Sequence, residues 1–381
     1  MNRHSFAVPG CLLIAVASLL DFGHQRARAQ ETGLNNVLFR DTFQGDFVVA
    51  GSSTRVTGAA DPQSSNPFNL SVTLPNANDT VYAAFIDWSF LTDNPNTATL
   101  NTISLNNTAV TATGSAISSG SPDLGWSYRY GAAYVANVTA IAQAAKTGAT
   151  LNFSIGNASD KAGSLGEGLS LIVLYRDNSM PTREINVYSG YTSGASGNGL
   201  ATFGFGHAYS NGTAHFFLNG IDGQQGYGDS FQINGTNATG GPISGLGTAN
   251  DAWQGRVGPG GVASANDLYD QAVGNAQSFM TNGEMSLTAQ TWGAGNGTNL
   301  TDFVGNSFGA MSFAASPEPS ALAIFAVGIL GLVTVQWMRR RHLTNRPIAV
   351  TGRLAVTGEP VPSNELPPEV RRNPVGQEVL P

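Results

Sequence analysis

The chain has 381 residues and a formal net charge of −7, and only 11% of its residues are charged. Between Gln30 and Ser316, nineteen acidic residues stand against eight basic ones, which gives this region a net charge of −11. Such a surface lacks the basic patch that nucleic-acid binding requires. The one cysteine, Cys11, precedes this region, which therefore can form neither a disulfide nor a cysteine-ligated metal site.

The N-terminal residues have the layout of a secretory signal peptide. A basic start precedes an apolar stretch from Phe6 to Leu20, and Ala27-Arg28-Ala29 is a pattern that signal peptidase cuts. An uncleaved membrane anchor is the alternative, but the apolar stretch is short for a span of about 20 residues. We therefore expect signal peptidase to cut after Ala29 and to remove residues 1–29.

The region from Gln30 to Ser316 predicts an all-β fold. Short segments rich in Val, Ile, Phe, Tyr and Thr recur between Gly, Asn, Asp and Pro residues, as in strands separated by turns. The predicted strands are Asp46–Ala50, Asn69–Leu74, Thr80–Leu91, Leu100–Leu105, Thr150–Ile155, Leu169–Tyr175, Glu184–Tyr188, Thr202–Phe205, Ala214–Leu218, Ser230–Ile233, Glu284–Thr291 and Gly309–Ala314. Both faces of Thr80–Leu91 are apolar, which predicts an inner strand of a packed sandwich. One helix is predicted, over Val135–Ala145.

An internal repeat divides this region. Ser104–Ser118 resembles Phe231–Ser244, and Trp126 and Trp253 follow at matching distances. The repeat predicts two antiparallel β-sandwich modules, Ig-like or jelly-roll-like, over residues 30–190 and 191–315, joined by a Gly/Ser-rich linker near Ser189–Gly199. One larger sandwich is the alternative, because Asn/Thr-rich composition readily produces such echoes.

Candidate catalytic residues are few. Gly305-Asn306-Ser307-Phe308-Gly309 matches the G-x-S-x-G pattern of hydrolase nucleophiles, but no histidine follows it before the C-terminal apolar segment. The histidines of the region, His207 and His215, flank a turn at Asn211-Gly212, and we predict a structural cross-strand pair in preference to a zinc site. Glycoside hydrolysis needs two carboxylates that face each other across a cleft, and the sequence pattern does not indicate any such pair. We predict no catalytic residue and a protein that is not an enzyme.

Two kinds of binding residue remain as candidates. Trp126 and Trp253 lie in loop-like surroundings and could stack against sugar rings, although burial in the core is the commoner state of tryptophan. Asp222, Asp229 and Asp302 lie in Gly/Asn-rich loops and are candidate calcium ligands. No regularly spaced acidic loop accompanies them, so solvated turn aspartates are the favoured interpretation. We expect no cofactor and no metal, with calcium as the alternative.

The C-terminal region carries the most specific pattern. Pro317-Glu318-Pro319 precedes an apolar segment over residues 321–338, and Arg339, Arg340 and Arg341 follow it. The segment is about long enough to span a membrane as a helix, and the arginines place its C-terminal end on the cytoplasmic side. Residues 342–381, rich in proline and of mixed charge, predict a disordered cytoplasmic tail.

In this order, the tripeptide, the span and the arginine cluster over residues 316–341 resemble the PEP-CTERM sorting signal. The resemblance implies that an exosortase recognises the chain and cleaves it near the tripeptide, and that the protein associates with exopolysaccharide or cell-surface layers. One departure is the tail, since the arginines usually end the chain in this family. An ordinary single-pass anchor is the alternative. The first predicted module also resembles, loosely, β-sandwich modules of bacterial and archaeal surface proteins, through GDFVVAG and LSLIVLYRD.

Together these features predict an exported envelope or matrix protein. It would be anchored in the inner membrane by its C-terminal helix and would reach the cell surface or the extracellular space after sorting. A carbohydrate-binding adhesin or lectin, with or without calcium, is the alternative.

Overall fold

The computed structural model describes residues 33–54, 68–95, 99–118, 128–159, 161, 163–193, 199–223, 225–226, 228–257, 268–292, 304–315 and 321–344. The strands are β1 (Asn36–Ser53), β2 (Phe68–Thr73), β3 (Thr80–Thr92), β4 (Thr102–Leu105), β5 (Thr108–Thr111), β6 (Gly114–Ile117), β7 (Tyr130–Asn137), β8 (Lys146–Thr147), β9 (Thr150–Gly156), β10 (Ser164–Arg176), β11 (Thr182–Ser193), β12 (Gly199–Gly204), β13 (Tyr209–Ile221), β14 (Ser230–Ile233), β15 (Thr236–Asn237), β16 (Ile243–Ser244), β17 (Tyr269–Asn275), β18 (Ser286–Trp292) and β19 (Gly305–Ala315). The helices are α1 (Thr139–Ala145) and α2 (Ala321–Thr344), with 3-10 turns at Gly33–Asn35 and Gln277–Phe279.

The fold is mostly antiparallel β-sheet, as the sequence predicts, and each predicted strand overlaps an observed one. The predicted helix is only partly correct. Its first residues belong to β7, where Val135 pairs with Asp87 of β3, and α1 begins at Thr139. The reason is that β7 is buried on both faces. Pairing within the sheet therefore decides the conformation of Val135–Asn137, whose intrinsic preference between helix and strand is weak.

Ten strands follow one another in a large sheet, and two smaller sheets accompany it. The large sheet has the order β16-β17-β13-β19-β11-β1-β10-β3-β7-β6. The smaller sheets have the orders β12-β18-β14-β15 and β2-β9-β4-β5, with β8 paired to β9. As predicted, β3 is an inner strand, because it pairs with β10 on one side and β7 on the other.

Strand β1 forms a corner in the large sheet. Its first half, through Gln44, pairs with β11, whereas its second half, from Gly45 onward, pairs with β10. Gly45 stands at the change of partner with φ +151, and a Cβ there would lie 2.0 Å from the carbonyl oxygen of Tyr175. Only glycine fits this position, because the backbone conformation and the close approach both exclude a side chain.

The corner folds the large sheet back on itself. Strands β3 and β19 are four positions apart in the sheet order, which would separate them by roughly 19 Å in a flat sheet. Nevertheless, Ser307 Oγ of β19 donates to Asp87 Oδ1 of β3 at 2.9 Å. The two arms of the sheet therefore face each other, and Phe85, Phe217 and Phe308 belong to one buried cluster between them.

Each small sheet packs on the outer face of one arm. One buried cluster joins the β2-β9-β4-β5 sheet to β3, β7 and β10, through residues such as Trp88 and Phe153. Another joins the β12-β18-β14-β15 sheet to β11, β13, β17 and β19, through residues such as Phe216 and Phe231. Alternation along β3 explains the double packing, because Ile86 and Trp88 enter the outer cluster while Ala83 and Phe85 enter the inner one.

The predicted boundary between two modules at residue 190 needs correction. Strand β11 (Thr182–Ser193) runs through it and pairs with β1 on one side and β19 on the other. Residues 1–316 also form a single compact unit by their contacts. The repeat therefore corresponds to two arms of one folded sheet, each with its own covering sheet, and no linker separates them at Ser189.

Residues from Pro317 onward form a second unit, of which the structure describes helix α2. The helix includes the predicted span of residues 321–338 and ends at Thr344. Within the described part of the chain, no helix meets the combined length and hydropathy expected of a membrane span.

Candidate functional site

Several predicted site residues lie outside the described residues. These are the signal peptidase site at Ala27 and Ala29, the tripeptide Pro317-Glu318-Pro319, and Trp126. Of the arginine cluster, Arg339, Arg340 and Arg341 all lie in the last turns of α2, and the first two are exposed.

Trp253 is a core residue and not a sugar-binding platform. Its side chain is fully buried, 5.0 Å from the ring of Phe231 in an edge-to-face arrangement. It also lies so close to Gly220 that a Cβ there would come within 2.5 Å of the indole. Trp253 does lie in a loop, as predicted, but the prediction that it is exposed for stacking is wrong, because the loop places its side chain in the buried cluster that contains Phe216 and Phe231.

The predicted pairing of His207 with His215 is also wrong, since each histidine faces a carboxylate of its own. His207 Nδ1 lies 2.7 Å from Glu184 Oε2, whereas His215 Nδ1 lies 2.5 Å from Asp46 Oδ2. Sequence reasoning could not find these partners, because β1 and β11 come to the histidines only through the folded sheet.

Glu184 organises the turn after β12. This fully buried carboxylate accepts the N–H groups of Gly206 and His207, each at 2.6 Å, and the side-chain amide of Asn186 at 2.8 Å. Arg40 Nε lies 3.8 Å away. Three hydrogen-bond donors and a nearby guanidinium therefore satisfy the oxygens that burial removes from water, which gives Glu184 a structural role in holding this turn.

His215 stands at the edge of a groove of about 480 Å³. Its walls are largely apolar and come from β1, β2, β13 and β17, among them Val48, Val72, Phe216 and Val273. The two phenylalanines in its wall, Phe47 and Phe216, are 7% and 0% exposed, so the groove offers mainly aliphatic contact and an imidazole edge. Because Nδ1 faces Asp46, Nε2 is the ring atom left for a ligand or solvent.

The carboxylate behind His215 belongs to a buried ion pair. Asp46 Oδ2 lies 3.3 Å from Arg183 Nε, and both side chains are at most 5% exposed. The contact is an ion pair without an aligned hydrogen bond, since Arg183 Nε donates to Ser312 Oγ at 2.7 Å. The guanidinium also donates to the carbonyl oxygens of Thr213 and Ser312, which fixes its position.

Two of the three candidate calcium ligands are buried and not solvated turn residues. Asp222 and Asp229 are 2% and 1% exposed, which contradicts the expectation that they lie in solvent, and Asp302 lies outside the described residues. Asp229 Oδ1 accepts the N–H groups of Ala252 and Trp253. Over the ranges that the structure describes, no group of three or more His, Cys, Asp or Glu side chains could hold a metal ion.

Asp270 lies beside Asp229 and escaped the sequence analysis. Its Oδ1 accepts the N–H groups of Gln254 at 3.0 Å and Arg256 at 2.8 Å. Complete burial raises the pKa of this carboxyl well above its ordinary value, and the charge of Asp229 raises it further. Residues 252–256 therefore wrap their amides around two buried carboxyl groups and tie the loop to the core.

Another buried carboxyl, Asp87, lies between the arms of the large sheet. Its Oδ1 accepts Ser307 Oγ at 2.9 Å and Asn219 Nδ2 at 3.3 Å. Asn219 Nδ2 also reaches the hydroxyl of Tyr269, which shares a hydrogen bond with Ser170 Oγ at 2.8 Å. Burial raises the pKa of Asp87 to about 8, against the lowering effect of the Ser307 bond. Ser307, the residue of the G-x-S-x-G match, thus lies in an extended strand, and its hydrogen-bond partners in the described part of the chain are Asp87 and Asn219.

No family model matches the chain, and no curated protein matches it. Solved structures with a remote likeness include the ANX1 ectodomain from Arabidopsis thaliana, at 10% identity and TM-score 0.24, covering 72% of this chain and 90% of that one. PNGF-II gives 12% identity and TM-score 0.23, over 71% of this chain and 66% of that one. The major capsid protein P2 of bacteriophage PM2 gives 10% identity and TM-score 0.20, over 71% and 99%. At these scores the likenesses carry no argument about function.

Proposed function

We propose that this chain is an exported, non-enzymatic protein of the bacterial envelope or extracellular matrix, sorted by its C-terminal region. The observation that carries the proposal is the ordered set over residues 316–341: Pro317-Glu318-Pro319, the apolar segment 321–338, and Arg339 to Arg341. The signal-peptide layout of residues 1–29 supports it independently, because sorting from the membrane requires prior export.

In this proposal the C-terminal apolar segment is a transmembrane helix that holds the protein in the inner membrane. The arginines remain cytoplasmic, and an exosortase cuts near the tripeptide and transfers the β-rich part to the surface. The remaining tail, 342–381, is discarded with the helix. Association with exopolysaccharide or with a surface layer follows from the resemblance of the sorting region.

We further propose that the exported part is a pair of β-sandwiches that share one folded sheet. The buried clusters on the outer faces of the two arms support this arrangement. A protein built in this way, with acidic, sparsely charged surfaces, suits a structural role in a matrix.

The experiment is the mass and location of the mature protein in its native host, with and without the exosortase. The expected product begins at Gln30, ends near Pro319 and is found outside the inner membrane. Without the exosortase, the product should retain its C-terminus and stay in the membrane fraction.

A matched pair of variants separates the signal from general damage. Replacing Pro317, Glu318 and Pro319 by alanine should abolish release, whereas replacing Pro360 and Pro362 in the tail should leave it unchanged. A wild-type product that retains residues through Pro381 in the membrane would contradict the proposal, and the chain would then be a plain single-pass membrane protein.

A further inference from the structure

A cavity lies next to Asp87, which is one of the hydrogen-bonded polar residues between the two arms of the large sheet. Asp87 lines it together with edge strand β6, the adjoining part of β7, and Asn36, Ser189 and Gly190, and its volume is about 250 Å³. Small residues, including Gly114, Ala116 and Ala133, form much of the wall and leave the space unfilled. Strand β6 is the last strand in the order of the large sheet, so this wall of the cavity is also an edge of that sheet. Ser115 of β6 is exposed.

The lining presents hydrogen-bond acceptors. Asp87 uses Oδ1 for Ser307 and Asn219, which leaves Oδ2 for the cavity. Asn36 donates its Nδ2 to Ser189 Oγ at 3.0 Å, which leaves its Oδ1 as an acceptor. Carboxylate and amide oxygens are the partners that an N–H donor with positive charge prefers.

The carboxyl of Asp87 has no cationic partner in the described part of the chain. The groups that face it are neutral: Asn219 and Ser307 directly, and the phenol of Tyr269 through Asn219. No Lys, Arg or His is among the described residues that line the cavity. A buried carboxylate without a counter-charge is costly, and a cation in the cavity would offset that cost.

We propose that this cavity is a binding site for a small primary ammonium compound, whose ammonium group lies against the carboxylate of Asp87. The ammonium group has three donors, which match Asp87 Oδ2, Asn36 Oδ1 and a serine hydroxyl. The small side chains of β6 and β7 contact its short carbon chain. The site is independent of export and of the sorting region.

Binding is coupled to a proton. Burial holds the pKa of Asp87 at about 8, so at neutral pH the incoming ammonium displaces the carboxyl proton, which leaves to solvent. Affinity should therefore rise about tenfold from pH 7 to pH 9, as the ionised fraction grows from about 0.1 to about 0.9. The phenols of Tyr134 and Tyr269 stay neutral over this range, because burial raises the pKa of Tyr134 to about 12 and that of Tyr269 well above 10.

The test is calorimetric titration of the full-length chain with n-propylammonium, with n-propanol as the uncharged compound of the same shape. We expect binding of the ammonium compound alone, with proton release at pH 7. Asp87→Asn keeps the size of the side chain and removes its charge, and should weaken binding by at least about tenfold, the cost of a lost charge-assisted hydrogen bond.

A second variant fills the cavity without touching the carboxyl. Ala116→Leu on β6 should abolish binding, whereas Ala109→Leu, at an exposed position of β5, should leave it unchanged. Near-ultraviolet circular dichroism confirms that each variant is folded. Failure of n-propylammonium to bind, equal binding of n-propanol, or undiminished binding by folded Asp87→Asn would each overturn the proposal.

Discussion

The raised pKa of Asp87 predicts a pH-dependent stability that one substitution should remove. In the unfolded chain this carboxyl titrates at its ordinary value of 3.8, whereas in the fold it titrates at about 8. Its folded pKa is therefore the higher one, so stability is fully present below pH 4. It is then lost as pH rises, because the unfolded chain ionises freely while the buried carboxyl must either hold its proton or carry a buried charge.

The magnitude follows from proton linkage. Each pH unit between the two pKa values costs about 1.4 kcal/mol of unfolding free energy, so the loss between pH 5 and pH 8 is about 4 kcal/mol. Asp87→Asn removes the titration and keeps an oxygen for the bonds from Ser307 and Asn219. From pH 5 to pH 8, the unfolding free energy of the wild type should therefore fall by about 4 kcal/mol more than that of the variant.

The assay is urea unfolding between pH 5 and pH 8, followed by the fluorescence of the buried Trp88 and Trp253. Asp270 also has a raised pKa and contributes to both profiles, so the difference between the two proteins isolates Asp87. The control is Asp177→Asn at an exposed turn, where hydrogen bonds from Ser179 lower the carboxyl pKa below its ordinary value. Its profile over this range should match the wild type. Parallel profiles for wild type and Asp87→Asn would refute the reasoning.

Further predictions concern the corner, the ion pair and the buried tryptophan. Gly45→Ala should destabilise the fold by about 1–3 kcal/mol in urea unfolding, because of its backbone conformation, and unchanged stability would argue against the corner in β1. Arg183→Met leaves Asp46 buried beside a partly exposed histidine, and should cost about 3–5 kcal/mol; a loss below 1 kcal/mol would show that Asp46 is solvated. Trp253→Ala should cost about 3–5 kcal/mol, and acrylamide should quench this tryptophan weakly in the wild type, whereas strong quenching would place it at the surface.

Much of the fold could be predicted from local sequence pattern. Alternation and composition are properties of short segments, so strands such as β3 and β14 were recognised with nearly their observed bounds. Strand β17 was missed, because the segment Tyr269–Asn275 contains Asp, Gln and Asn. It is a strand because its neighbours bury it, and its Asp270 and Gln271 find partners only in that setting.

The candidate sites show the limit more clearly. Asp87 and Ser307 are 220 residues apart in sequence, and neither lies in a motif that indicates the other. Similarly, His215 and Asp46 meet only because the second half of the chain folds over β1. Pairing at such distances depends on the order of strands in the sheet, which alternation along one strand does not reveal.

The sequence by itself determined that the chain is rich in antiparallel strands and that the region from Gln30 to Ser316 can form no disulfide, and its residues 1–29 and 316–341 supply the patterns on which the proposal of export and sorting rests. These are matters of composition and local order. Only the tertiary structure decided that the two halves share one folded sheet, that Trp253 is buried, and that Asp87 is buried between the arms with a raised pKa. Which side chains are buried, and which of them form hydrogen bonds with each other, depends on which strands pack together. The corner at Gly45 brings the two arms of the large sheet face to face.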